Sequence, residues 1–158
     1  MSGPVVLVEI PAGSRNKYEW DDELDAIALD RRLFTAMAYP ADYGFVIGTM
    51  AEDDDPLDAL VLTSDPTFPG CRIRVRLVGV FHMSDEKGPD EKLLCVPLGD
   101  PAFERIRDIH DVNAELRDEI EHFFQRYKDL EPSKRTETRG WGNRDDAERI
   151  LEDARERA

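Results

Sequence analysis

From Arg72 to Phe81 the chain alternates, with Ile73, Val75 and Leu77 on one side and Arg72, Arg74 and Arg76 on the other. A period of two is strand geometry, and it predicts a long strand with one buried and one wet face. A strand of that length needs partners on both edges, because unpaired backbone invites association. The partners are legible as short apolar runs cut by turn residues. Val5 to Ile10 stops at Pro11-Ala12-Gly13, Leu57 to Thr63 forms a second run, and Leu93 to Leu98 a third. Lys17 to Trp20 and Ala26 to Leu29 flank an acidic turn and read as a hairpin. At least five strands of this kind point to a small closed barrel rather than an open sheet.

From about Asn113 the period changes. Leu116, Ile120, Phe123, Phe124 and Tyr127 fall on one helical face. Asn143 with Asp146 three residues on marks another helix start, and Ala147, Ile150, Leu151 and Ala154 form its buried stripe. The expected architecture is α+β: a barrel with helices packed on one side. With 158 residues, no internal repeat, no low-complexity tract and no linker, residues 1–158 are expected to form a single domain.

The formal net charge is -14, from 35 acidic against 21 basic side chains. That balance argues against a general affinity for nucleic acid or anionic membrane, whose partners present a basic face. An acidic surplus alone is equally explained by solubility, so the position of the acids decides what they mean. No run approaches a membrane span, and no signal peptide is recognisable at the N-terminus. Cys71 and Cys95 are the two cysteines, too far apart in sequence to suggest a metal pair. A cytoplasmic protein with buried thiols is the expectation.

The acids are clustered. Asp53, Asp54, Asp55 and Asp58 crowd around Pro56, and Asp85, Glu86 and Asp90 surround Gly88-Pro89. Glu9 and Glu19 lie on the two N-terminal strands. Carboxylates held close together repel and raise one another's pKa, unless water solvates them or hard cations neutralise them. An aspartate-rich turn read alone is a solvated loop. The apolar strand behind this one and the second acidic group favour an oxygen cage suited to Mg²⁺ or Mn²⁺ rather than zinc. Strand alternation turns Asp58 toward the barrel mouth while burying Leu57. A calcium-binding EF-hand loop is excluded: counted from Asp53, its sixth residue is Asp58, not glycine, and its twelfth is Ser64, not glutamate.

Between the acids lie Lys17, Arg31, Tyr43, Tyr127, Lys128 and Lys134. Each alone reads as a surface ion-pair partner or a core aromatic. Set against a metal cage, they supply what phosphoryl transfer asks of a protein, which is charge neutralisation and alignment. Metal-bound water is acidic enough to attack near neutral pH, and a neighbouring carboxylate can take its remaining proton.

Asp53-Asp54-Asp55-Pro56-Leu57-Asp58 resembles the Asp-x-Asp-Pro-x-Asp signature of family I soluble inorganic pyrophosphatases. The likeness runs nearly end to end, through Glu9-Ile10-Pro11, Asn16-Lys17-Tyr18-Glu19, Asp30-Arg31, Tyr39-Pro40, Asp42-Tyr43-Gly44-Phe45, Asp85-Glu86 to Lys92, and His122-Phe123-Phe124 to Glu131. The length suggests the compact prokaryotic type. The resemblance implies a five-stranded OB-like barrel flanked by two main helices, and a Mg²⁺-dependent hydrolysis of inorganic pyrophosphate with several ions per site, Mn²⁺ being a possible substitute. It further implies a homo-oligomer, usually a hexamer.

Carried over residue by residue, the resemblance implies that Asp53, Asp58 and Asp90 hold the metals bridging the nucleophilic water. Asp85 joins Asp90 on a metal arriving with substrate, and Glu9 supports another. Asp55 is the general base, with Asp90 as the alternative proton acceptor. Lys17, Arg31, Tyr127 and Lys128 hold pyrophosphate oxygens, with Tyr43 and Lys134 assisting and Glu19 as a polar neighbour. Asp54 stands where the signature commonly has glycine, with no backbone requirement evident in the sequence, and Lys87 neighbours the second acidic group.

Other features carry no chemistry of their own. His82, His110 and His122 lack close pairing, and His122 suits a structural or subunit contact. The Arg72/Arg74/Arg76 stripe lacks the interleaved aromatics of a single-stranded nucleic-acid binder, and is expected to pair with acids on neighbouring strands or subunits. Trp141, between two glycines, reads as a packing anchor in a loop. A non-catalytic divalent-metal module is the main alternative, and it leaves Lys17, Arg31 and Lys128 without a purpose.

Overall fold

The alternating segment is one end of a strand that outgrows its prediction. In the computed structural model, which describes residues 2–158, β6 runs from Arg72 to Asp85 and three sets of partners share its length. The preceding strands are β1 (Val5–Ile10), β2 (Asn16–Asp21), β3 (Ala26–Arg32), β4 (Asp42–Val46) and β5 (Asp58–Val61). After it come β7 (Gly88–Pro89), β8 (Lys92–Pro97), helix α1 (Ala114–Arg126), β9 (Thr136–Gly142) and helix α2 (Arg144–Arg157).

The start of β6 pairs with β1, its middle with β8, and its far end with β9 and β7. The pairings β1–β4, β4–β5, β5–β8, β8–β6 and β6–β1 close a ring of five strands. Only β5–β8 is parallel within that ring. Numbered along the chain, the ring strands follow the order one, two, three, five, four with a parallel three–five pair. This is the OB-like topology expected from the resemblance. The hairpin β2–β3 stands outside the ring as a separate two-stranded sheet.

Strands β4 and β9, besides the two-residue β7, depart from the sequence reading. β4 was not foreseen, because aspartate and glycine are poor strand formers. Gly44 is nonetheless needed there, since a Cβ at this position would lie 1.9 Å from the Leu7 carbonyl oxygen of β1. Trp141 lies on β9 rather than in a loop; it pairs with Phe81, their ring centroids 4.9 Å apart.

β5 and β8 are buried on both faces, so alternate residues feed two cores. Leu60, Leu94 and Val96 join Phe81, Phe123 and Phe124 in a cluster that includes α1. Ala59, Val61, Leu93 and Cys95 join Leu57, Ala147, Leu151 and Ala154 in another that includes α2. Successive strand residues point oppositely, so the helices cover opposite faces of β5 and β8 rather than one side as expected. The foreseen capping box is present: the Asn143 side chain accepts from Asp146 N and the Asp146 side chain from Asn143 N, each at 2.9 Å.

Candidate active site

The aspartate cluster forms the connection from β4 to β5, and local hydrogen bonds shape it. Ala51 N donates to the Asp55 carbonyl at 2.7 Å, and Asp55 N to Asp53 Oδ1 at 3.1 Å. Asp54 has a φ of 67°, a left-handed conformation in which glycine is unstrained and aspartate tolerated. The position therefore has a backbone requirement that the sequence did not disclose. Leu57 anchors the loop in the core, held by Leu57 N donating to Thr49 Oγ1 at 3.0 Å. Asp58 follows on the opposite side, as the alternation predicts.

Register supplies the group that sequence reasoning passed over. In the parallel β5–β8 pair Asp58 stands beside Lys92, at the head of an apolar run. Lys92 is 1% exposed. Its Nζ donates to Tyr43 Oη at 2.6 Å, Asp58 Oδ2 at 3.0 Å and Asp90 Oδ2 at 3.1 Å, which satisfies all three N–H groups. The ammonium also lies 5.0 Å from the Phe124 ring centre and 5.1 Å from that of Tyr43. A lone lysine opening a hydrophobic strand was the available signal.

The carboxylates around Lys92 feel one another. Burial pushes Asp58 upward and the Asp90 charge adds to this, so Asp58 resists ionisation even with Lys92 opposing the shift. Burial acts the same way on Asp90, but Lys92 and the hydrogen bond with Asp58 outweigh it and hold Asp90 low. Asp53 is raised by burial, with Asp90 and Asp55 contributing. Glu9 is raised chiefly by burial, although it accepts a hydrogen bond from Trp20 N at 2.8 Å and lies within the field of Lys17. Through these effects Glu9, Asp53, Asp55, Asp58 and Asp90 form one chain of mutually felt charges.

The predicted cations lie on two segments. Lys17 and Arg31 are cross-strand partners in the β2–β3 hairpin. Asp30 Oδ2 bridges them, 3.2 Å from Lys17 Nζ and 2.7 Å from Arg31 Nη1, and Lys17 also reaches Glu19 at 3.3 Å. Past α1, Tyr127 is buried, Lys128 Nζ lies 3.8 Å from Asp85 and Lys134 Nζ 3.4 Å from Glu86. Arg31 and Glu131 pair at 2.6 Å and join the two segments. Lys128 also feels the charges of Asp85 and Asp90, whereas Lys134 is exposed and meets only the outer acidic turn. Tyr43 and Tyr127 are pushed well up by burial and remain neutral hydroxyls. Of the arginine stripe, Arg76 meets carbonyls within the chain: its Nη2 donates to those of Phe103 and Ile106 at 2.9 and 2.8 Å.

The donor set fits hard divalent cations. It is oxygen-only, burial and like charge disfavour ionised Asp53 and Asp58, and a buried ammonium already offsets Asp58 and Asp90. Among the described residues no three candidate ligands converge into a ready-made cage for one ion, so these carboxylates would close around cations only by side-chain movement.

Comparison with known proteins agrees with this chemistry. The inorganic pyrophosphatase family model matches residues 6–158. The inorganic pyrophosphatase of Streptomyces coelicolor is 60% identical over 147 residues, covering 93% of this chain and 90% of that protein. That of Methanosarcina mazei is 50% identical over 152 residues, 96% of this chain and 89% of its own. The solved Helicobacter pylori inorganic pyrophosphatase superposes with a TM-score of 0.95 at 43% identity, covering 98% of this chain and 93% of that one. The Thermus thermophilus enzyme gives 0.95 at 45%, covering 97% and 89%. With this agreement in sequence and fold, the chain belongs to the family I soluble inorganic pyrophosphatases and hydrolyses inorganic pyrophosphate to orthophosphate.

Proposed function

We propose that the barrel mouth is where pyrophosphate is cleaved, with an acidic wall for metal and a cationic wall for substrate. The observation that carries this is the buried Lys92 bridging Asp58 and Asp90, with Lys128 within the field of Asp85 and Asp90 and Lys17, the cross-strand partner of Arg31, within that of Glu9. The family is metal-dependent, and the oxygen donor set suits Mg²⁺ or Mn²⁺; by family resemblance the ion is Mg²⁺, several per site, with Mn²⁺ as a substitute. Asp53, Asp58 and Asp90 would hold the ions nearest the nucleophile, Asp85 with Asp90 one that accompanies substrate, and Glu9 a further one. When bound, the metals supply an acidified water and neutralise charge on the phosphoryl oxygens.

The protein's own part is positioning and proton transfer. Lys17, Arg31, Lys128, Tyr43 and Tyr127 would hold the phosphate oxygens, with Lys134 at the rim. Tyr43 accepts from Lys92, so its own O–H is free to donate. As the water oxygen bonds to one phosphorus and the bridging P–O bond breaks, a carboxylate must take the water's proton. Asp55 is exposed and engages no ion pair among the described residues, which suits it to that task, with Asp90 as the alternative acceptor. A metal-binding module without chemistry would leave the paired cations of the hairpin unexplained.

We further propose that residues 1–158 act as one domain, within a homo-oligomer, a hexamer by family resemblance, in the cytoplasm. No described helix is long and apolar enough to cross a membrane. Nucleic acid is not a partner, in keeping with the net charge of -14.

Calorimetric titration of metal-free protein with Mg²⁺ tests the assignment. Asp58→Asn and Asp90→Asn should weaken binding at least about tenfold, the scale of losing one charged ligand interaction. Asp145→Asn, at an acid on α2 outside the mouth, should leave it unchanged. Equal binding in all three variants would dismiss the site.

A further inference from the structure

We propose that Glu131 is a positioning residue for substrate binding: it clamps one edge of the Arg31 guanidinium and turns the other toward pyrophosphate. This rests on the reading of Arg31 as a substrate ligand. Arg31 Nε and Nη2 both donate to Glu131 Oε1, at 3.0 and 2.6 Å, across 100 residues of sequence. Nη1 donates to Asp30 Oδ2 at 2.7 Å. A guanidinium carries five N–H groups in a rigid fork, so one remains on Nη1 and one on Nη2, spaced for two phosphate oxygens.

Glu131 is built to hold this contact. Its side chain is 11% exposed, and its other oxygen, Oε2, is buried with no hydrogen bond within the protein. Its polar function therefore goes to Arg31 through one atom. Its backbone is fixed as well: Glu131 N donates to the Lys128 carbonyl at 3.0 Å, and its own carbonyl accepts from Lys134 N at 3.5 Å. Glu131 thus sits three residues from each of two proposed substrate cations, Lys128 and Lys134, while its carboxylate grips a third on the β2–β3 hairpin. Without it the guanidinium keeps only the Asp30 contact and is free to rotate about its long side chain. Binding would then have to order it anew.

Because Arg31 would contact the same oxygens before and during reaction, the loss should appear in KM rather than kcat. For purified enzyme with saturating Mg²⁺, Glu131→Ala should raise KM for pyrophosphate about tenfold with kcat within about threefold, the scale of one charge-assisted hydrogen bond. Glu131→Gln keeps an acceptor and should recover most of that loss. Calorimetric binding of methylenediphosphonate, which is not hydrolysed, should weaken in parallel, and Glu131→Leu, similar in volume but without an acceptor, should show the same losses where Glu131→Ala does not fold. In an Arg31→Ala background, Glu131→Ala should raise KM no further.

An equal rise in both backgrounds would overturn the proposal, because Glu131 would then act independently of Arg31. So would unchanged KM and analogue binding in the Glu131 single variants. If Arg31→Ala itself leaves KM unchanged, the assignment of Arg31 to substrate fails first, a distinct result that removes the basis of the proposal.

Discussion

Replacing Lys92 by methionine should damage this fold more than any exposed substitution, and in a pH-dependent way. The side chain is 1% exposed and its ammonium satisfies Asp58, Asp90 and Tyr43 together. Methionine roughly preserves the apolar stem and its packing between Tyr43 and Phe124, so repacking contributes less than about 1.5 kcal/mol. The larger loss is electrostatic. Asp58 and Asp90 would be left facing each other, with side chains 25% and 11% exposed. Removing one partner of a buried ion pair costs about 3–5 kcal/mol, a large share of the 5–15 kcal/mol that holds a typical domain together.

In the variant both carboxylates should have folded-state pKa values above their unfolded ones. Their protonation then favours the fold, a contribution present at low pH and lost as pH rises through the raised pKa values. Urea unfolding of metal-free protein should therefore show a gap from wild type of about 3–5 kcal/mol at pH 7.5. At pH 5 the gap should be narrower by at least about 1 kcal/mol, the scale of one pK unit. A gap below about 1 kcal/mol at pH 7.5, or one that does not change with pH, would refute the electrostatic reasoning.

Asp54 holds a left-handed backbone, so Asp54→Gly should leave stability unchanged or slightly raised, while Asp54→Val should cost about 1–2 kcal/mol in thermal or urea unfolding. The reverse order would show that the side chain, not the φ angle, matters there. Cys95 is buried and its thiol is pushed up by burial, whereas Cys71 is partly exposed. Mass spectrometry after iodoacetamide treatment of native protein should find Cys71 modified and Cys95 only after unfolding.

What could be read in the sequence was what local pattern encodes. The alternation at Arg72–Leu77, the stripe of α1 and the Asn143–Asp146 capping box each depend on neighbours a few residues apart, and each formed as expected. β4 and β9 were illegible because Gly44, Gly142 and Asp42 answer contacts with residues distant in sequence rather than local propensity. Lys92 was missed for a related reason. Its meaning comes from a parallel register with Asp58, 34 residues away, and the one local signal, a lysine opening an apolar strand, does not say which carboxylates it would meet. The Arg31–Glu131 contact is more distant still, spanning 100 residues. Arg76 was assigned acidic partners by its charge, but it meets carbonyls of the 3₁₀ turn near Phe103 that no periodicity announces.

The most direct test of the site is phosphate release from inorganic pyrophosphate in the presence of Mg²⁺, compared among wild type, Asp55→Asn and Asp58→Asn. Each variant is assayed where circular dichroism shows it folded, because Asp58→Asn also removes a buried partner of Lys92. If Asp58 serves the metals and Asp55 the proton, each should lose at least about a hundredfold in rate, the scale of removing a catalytic acid or base. Turnover unchanged in both would contradict the account.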